Sequence, residues 1–202
     1  MKLDFRRALP RDAFGLMRLY QLANPGTGTD ELMLHQNPLV QEIAGEQTIW
    51  LVGEREDEIV VYLGIQIDRS NRLAKITRVA VHPELSHQNE LFELAMPRLL
   101  KYLGEKGVEV IYTTTRTITL AQQEITLRFG FKMLGVFPNA FGGDPLRING
   151  LSAYFFENAA TRRKGARFSL HPSVAPFYEK VRELCDLEAL PVATPRPLER
   201  FA

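Results

Sequence analysis

What is scarce in these 202 residues excludes more than what is plentiful suggests. One cysteine, Cys185, cannot close a disulfide within the chain, and there is no paired-cysteine spacing of the kind a zinc site uses, so a reducing, cytoplasmic setting is the expectation. Four histidines, at 35, 82, 87 and 171, are scattered without ligand spacing beside a carboxylate, and no metal is expected. Neither sign of charge prevails: 25 Lys and Arg against 24 Asp and Glu leave a net charge of +1, too weak a field to argue for nucleic acid or an anionic membrane as partner. No stretch approaches the roughly 20 apolar residues that span a bilayer. Met1 to Phe14 lacks the apolar run of about 7 to 15 residues that a signal peptide needs. Internal repeats, low-complexity tracts and Ser or Cys nucleophile motifs are also missing.

What is there is ordinary for a globular protein: 45% hydrophobic and 24% charged residues, enough for a core. The length suits one domain with an appendage, and a boundary is expected near 157, with residues 158–202 as an extension. Lys2 to Ala8 reads as a strand ended by Pro10. Asp12 then caps a helix on which Phe14, Met17, Leu19, Tyr20 and Leu22 fall near helical spacing. A polar loop over 24–37 precedes a short helix from Pro38 to Ala44. Thr48 to Glu54 and Ile59 to Asp68 are β-branched and aromatic runs around a charged turn, an antiparallel hairpin continued by a third strand from Ala74 to Val81.

After Val81-His82-Pro83-Glu84 and a polar turn comes an amphipathic helix carrying Leu91, Phe92, Leu94, Ala95, Leu99, Leu100 and Leu103. Pro97 in its middle predicts a kink. Gly107 ends that helix. Val108 to Thr115 is a strand parallel to its predecessor, because a helical crossover joins the two. A helix over Thr119 to Phe129 and strands over Lys132 to Phe137 and Leu151 to Phe156 complete the domain. Beyond Glu157 lie a basic cluster, Arg162, Arg163, Lys164 and Arg167, a helix over Val174 to Leu187, and a tail with Pro191, Pro195 and Pro197. The basic cluster reads first as a solvated connector.

The order from Ala74 to Phe131 resembles the core of the GNAT (GCN5-related) N-acyltransferases. The resemblance implies an α/β (α+β) fold: a mixed, mostly antiparallel sheet with a central splayed parallel pair, helices on both faces, plus a C-terminal helical extension. It covers about residues 2 to 156 by element order. In that family a bulged strand offers amides to an acyl thioester, and a glycine-rich turn with the pattern V-x-P-x-x-R-G-x-G-x-G/A holds the coenzyme A pyrophosphate. Here the turn reads Ser86-His87-Gln88-Asn89-Glu90-Leu91, so its small residues are replaced. Val79, Ala80, Val81, Gln88, Asn89, Glu90 and Leu91 are the positions the resemblance assigns to acyl-coenzyme A. Main-chain donors at a strand end can polarise a thioester carbonyl, and a helix N-terminus attracts phosphate whatever its side chains. Asn89 also suits a plain N-cap that needs no ligand.

A tyrosine often stands four residues before the glycine of Gly130-Phe131 in that family and protonates the leaving thiolate. Thr126 occupies that place here. The strand before Val81 bears Lys75, Thr77 and Arg78 where some relatives carry Glu, so the base is sought on the acceptor side: Glu31 first, with Asp30, His35 and Tyr154 as the other choices. The activity so implied is transfer of an acyl group, acetyl foremost, from acetyl-CoA or another acyl-CoA to a small-molecule or peptide amine by direct attack. Two alternatives remain open: a non-catalytic binding or regulatory protein on the same scaffold, and an acyltransferase whose donor is acyl carrier protein. A homodimer or an acidic protein partner is expected to use the C-terminal extension, through the basic cluster or the helix bearing Phe177 and Val181.

Overall fold

The computed structural model describes residues 3–26, 30–85, 89–116, 120–138, 148–162 and 169–194, and for 89–92, 115, 116, 121 and 122 the backbone alone. It separates into two compact units, Met1–Tyr154 and Phe155–Ala202. In chain order the first unit carries β1 (Asp4–Arg7), α1 (Ala13–Ala23), α2 (Glu31–Leu34), α3 (Gln36–Ala44), β2 (Thr48–Arg55), β3 (Glu58–Asp68), β4 (Leu73–Val81), α4 (Asn89–Glu105), β5 (Val110–Arg116), α5 (Leu120–Arg128), β6 (Lys132–Pro138) and β7 (Ile148–Phe155). The strands form one sheet in the order β1-β2-β3-β4-β5-β7-β6. β1 to β4 pair antiparallel, β4 and β5 parallel, and β6 and β7 antiparallel. The second unit holds α6 (Ala159–Arg162), α7 (Ala175–Cys185) and a bridge between Leu170 and Val192. No described helix is long and apolar enough to cross a membrane.

The hairpin between β2 and β3 is tighter than its charged sequence suggests. Arg55 pairs with Glu58, and only Glu56 and Asp57 turn the chain, with φ of 51° and 64°. Positive φ at both positions is the type I′ geometry whose twist matches the flanking strands. Segment 24–37, expected as loop, contains α2. Asp30 caps it by accepting from the Leu32 amide at 3.2 Å. α4 runs on through the exposed Pro97 as one helical element.

One sheet face packs against α1 and α3. Its buried cluster includes Leu16, Leu19, Met33, Leu39, Ile43, Trp50, Val52, Tyr62 and Ala80; full burial of an aliphatic side chain of this kind contributes about 1.5–3 kcal/mol. The inward stripe of α1 is Ala13, Leu16 and Leu19, whereas Phe14, expected inside, is 67% exposed. α4 lies on the opposite face, where its Arg98 guanidinium covers the Phe5 ring at 5.2 Å. The buried Ala95, Met96, Leu99 and Leu103 form its inner stripe.

Asp12 stands at the head of α1 but does not cap it with its side chain. Its carboxylate accepts from Arg6 at 2.6 and 3.0 Å and from the Leu9 amide at 2.7 Å, and Arg6 also grips Glu54. The Arg6 hydrogen bond, opposed by burial, holds the Asp12 carboxyl below its ordinary range. A depressed carboxyl contributes stability that is complete above its unfolded value of about 4 and is lost as pH falls through the folded value. Asp12→Asn is therefore expected to lower stability at neutral pH and to flatten the acid limb below about pH 5. Urea unfolding across a pH series checks this, and parallel curves for the two proteins would refute it.

Candidate functional site

The site begins with one extra residue in β4. Pairing with β3 steps from Ile65–Ile76 to Gly64–Arg78, which leaves Thr77 as a bulge. The Thr77 hydroxyl donates to the Gly64 carbonyl at 3.0 Å. At the same place the parallel ladder stops. Leu73 to Ile76 pair with Val110 to Thr113, the Thr113 hydroxyl donates to the Ile76 carbonyl at 3.3 Å, and among the described residues no further rung joins the two strands, although β4 continues to Val81 and β5 to Arg116. The strands open at Thr77, four residues before β4 ends.

Amides along a strand face its two neighbours alternately. The His82 N–H donates to the Val60 carbonyl on β3 at 2.8 Å, so Ala80 also faces β3, while the amides of Val79 and Val81 face the gap. Val79 is 47% exposed and Ala80 is buried. Two main-chain donors therefore stand at an opening that β5 does not close.

The bulge also exchanges the faces of β4. Below it, Ile76 pairs with Ile65 on the α4 side; above it, Arg78 falls in line with Gly64 and Trp50 on the α1–α3 side. Arg78 is gripped there by Asp30, with Nε to Oδ2 at 2.5 Å and Nη2 to Oδ1 at 3.1 Å, and its guanidinium lies 5.9 Å from the centre of the Trp50 ring. The Asp30 amide donates to the Tyr20 hydroxyl at 2.9 Å. Tyr62 packs beside Trp50 with ring centroids 5.7 Å apart, and burial, with smaller contributions from Asp30 and Tyr20, pushes its phenol well above the ordinary value. Gly64 makes this close stacking workable, because a Cβ there would lie 3.3 Å from the Arg78 Cβ and 3.4 Å from the Trp50 ring.

Among the acceptor-side carboxylates, Asp30 is the one held against β4, whereas Glu31 is the exposed first residue of α2. Thr126 is buried, and its hydroxyl donates to the Gln123 carbonyl at 2.8 Å, so its one proton is committed inside α5. Tyr154 on β7 packs against Phe131 at 5.6 Å. The His82 carbonyl accepts from the Leu85 amide at 2.8 Å and closes the turn after β4. Asn89, Glu90 and Leu91 supply the first backbone turn of α4. Gln88, Arg163, Lys164 and Arg167 lie outside the described residues. The pairing of Arg78 with Asp30 escaped sequence reasoning, since strict alternation puts Arg78 on the wrong face; only an unpaired Thr77 corrects it. A cleft of about 550 Å3 opens on this same face, over the row of Gln66, Lys75 and Tyr112.

The seven-stranded, mostly antiparallel sheet with one parallel pair at its middle matches the fold of the GNAT N-acetyltransferases. Among solved structures the chain is similar to the ribosomal-protein-S18-alanine N-acetyltransferase of Escherichia coli, at TM-score 0.63 and 14% identity over 75% of this chain and 92% of that one. An acetyltransferase of the GNAT family from Streptococcus pneumoniae aligns at TM-score 0.63 and 16% identity, over 77% of this chain and 100% of that one. The PaiA N-acetyltransferase of Thermoplasma acidophilum, solved in complex with coenzyme A, aligns at TM-score 0.60 and 13% identity, over 77% and 100%. At such identities the likeness establishes the fold. No protein-family model and no curated protein matches the chain.

Proposed function

We propose that the protein is an N-acyltransferase that moves an acyl group, acetyl foremost, from acyl-coenzyme A to an amine by direct attack. The observation that carries this reading is the gap beside β4, where the Val79 and Val81 amides face away from β3 and, among the described residues, find no rung on β5. Donors fixed in that way cost no reorganisation when negative charge develops on a thioester oxygen. The neighbour solved with coenzyme A lends the same fold to that ligand. The amino end of the 17-residue α4 adds the backbone N–H groups of a helix start and a positive dipole end for the pyrophosphate, which compensates in part for the absent glycines.

Coenzyme A supplies the activated thioester. The chain supplies position and charge. The amine nitrogen bonds to the carbonyl carbon, the carbon–sulfur bond breaks, and the thiolate departs to be protonated from solvent. The proton that the amine sheds passes to water or to Asp30, the carboxylate fixed beside the bulge. Thr126 takes no part as an acid, its hydroxyl being bonded within α5.

Calorimetric titration with acetyl-coenzyme A is expected to give saturable heat, and mass spectrometry of the native protein a copurifying coenzyme A species. A folded protein that takes up neither would support the non-catalytic alternative instead.

A further inference from the structure

The cleft on the α1–α3 face lies one side-chain row below Arg78. Its floor is Lys75 of β4 flanked by Gln66 of β3 and Tyr112 of β5, each a register partner of Lys75, and its rim carries Glu46, Asp68 and Arg69. The rim charges are already engaged. Arg69 pairs with Glu46 at 3.9 Å. Asp68 accepts from the Ser70 hydroxyl at 2.6 Å, the Asn71 amide at 3.0 Å and the Asn71 side chain at 2.7 Å, a turn that draws its carboxyl down to about 2. Lys75 differs. It is half-buried, and no carboxylate of the described residues lies within 4.0 Å of its ammonium. An ammonium on a cleft floor, with a phenol and an amide as neighbours, the rim carboxylates engaged elsewhere and no ion-pair partner among the described residues, is arranged for an anionic group.

We propose that the acceptor is a primary amine bearing a carboxylate or phosphate at a distance, and that Lys75 binds this anionic group while the amine reaches the gap beside Val79. The proposal rests on the acyltransferase reading above. Lys75 pairs with Gln66 and Val79 with Leu63, three residues apart on β3, so the anionic group sits roughly 10 Å from the row of the reacting amine. That spacing disfavours acetylation of the α-amine of a free amino acid, whose carboxylate is too close. It favours ω-amino acids, the side-chain amine of a lysine with a free carboxylate, and aminoalkyl phosphates.

The test compares acetyl transfer to 6-aminohexanoate, 3-aminopropyl phosphate, hexylamine and 1,6-diaminohexane by the wild-type protein, Lys75→Met and Lys75→Glu, with direct calorimetry of each amine. The ratio of kcat/KM for 6-aminohexanoate over hexylamine is expected to fall about tenfold in Lys75→Met, the effect of one charge-assisted hydrogen bond. Lys75→Glu is expected to reverse the preference toward the diamine, which a purely structural lysine would not do. A preference for 3-aminopropyl phosphate over 6-aminohexanoate assigns the group as phosphate, and the opposite order as carboxylate. An unchanged ratio in both variants, or no saturable binding of either anionic amine to the wild-type protein, overturns the proposal. Acetyl-coenzyme A titration of the same samples keeps the two ideas apart. Its failure alongside Lys75-dependent binding of the anionic amines rejects the transferase reading and leaves the cleft.

Discussion

Val79→Pro is expected to lower the proposed acetyl transfer by about 100- to 1,000-fold, the scale observed when one fixed donor to an oxyanion is removed, while the protein stays folded. Proline at this place deletes an N–H that faces the gap, so no rung of the β3–β4 ladder is lost. Val79 is 47% exposed, which leaves room for the ring. The loss belongs in kcat more than in the KM for acetyl-coenzyme A, because the donor matters most when the carbonyl oxygen becomes anionic. Ala80→Pro provides the contrast. Its amide faces β3 and its side chain is buried, so the substitution removes a ladder bond and disturbs the core. Steady-state kinetics with circular dichroism on both variants decides the matter, and a Val79→Pro protein with wild-type turnover would remove the gap from the mechanism.

Trp50→Ala costs about 3–5 kcal/mol of stability, the range for truncating a buried aromatic. Trp50 is 1% exposed at the centre of the α1–α3 face, packs on Tyr62, and gives the Arg78 guanidinium an aromatic surface. Trp50→Phe is expected to cost much less. The indole Nε1 is buried without a hydrogen-bond partner among the described residues, so the change removes an unsatisfied donor along with the lost area. Urea unfolding of the two variants measures the contrast. Equal losses in both would mean that the indole nitrogen is satisfied in solution.

These two residues differ in how visible they are in the sequence. Trp50 stands in a β-branched run, Thr48 to Val52, whose type is plain from composition, and the alternation of Ile49, Leu51 and their neighbours makes β2 and β3 strands before any fold is known. The spacing of Ala95, Leu99 and Leu103 makes α4 a helix in the same way, and the crossover after Val81 makes β5 parallel to β4. Those features rest on contacts between residues a few positions apart, or on a connection with only one allowed hand. α2 was hidden because four residues carry too little periodicity to register, and the Glu56–Asp57 turn because neither residue advertises positive φ.

The sequence by itself determined the kinds of elements, their order and the parallel pair at the middle of the sheet, since hydrophobic period and crossover geometry are local or topological. Only the tertiary structure decided where β4 and β5 part, which face Arg78 occupies and which carboxylate meets it. Those depend on a one-residue slip at Thr77 against β3 and on a pair formed 48 positions apart, between Asp30 and Arg78. A slip of one residue sends every later side chain to the other face of a strand, and nothing in the strand's own composition records it.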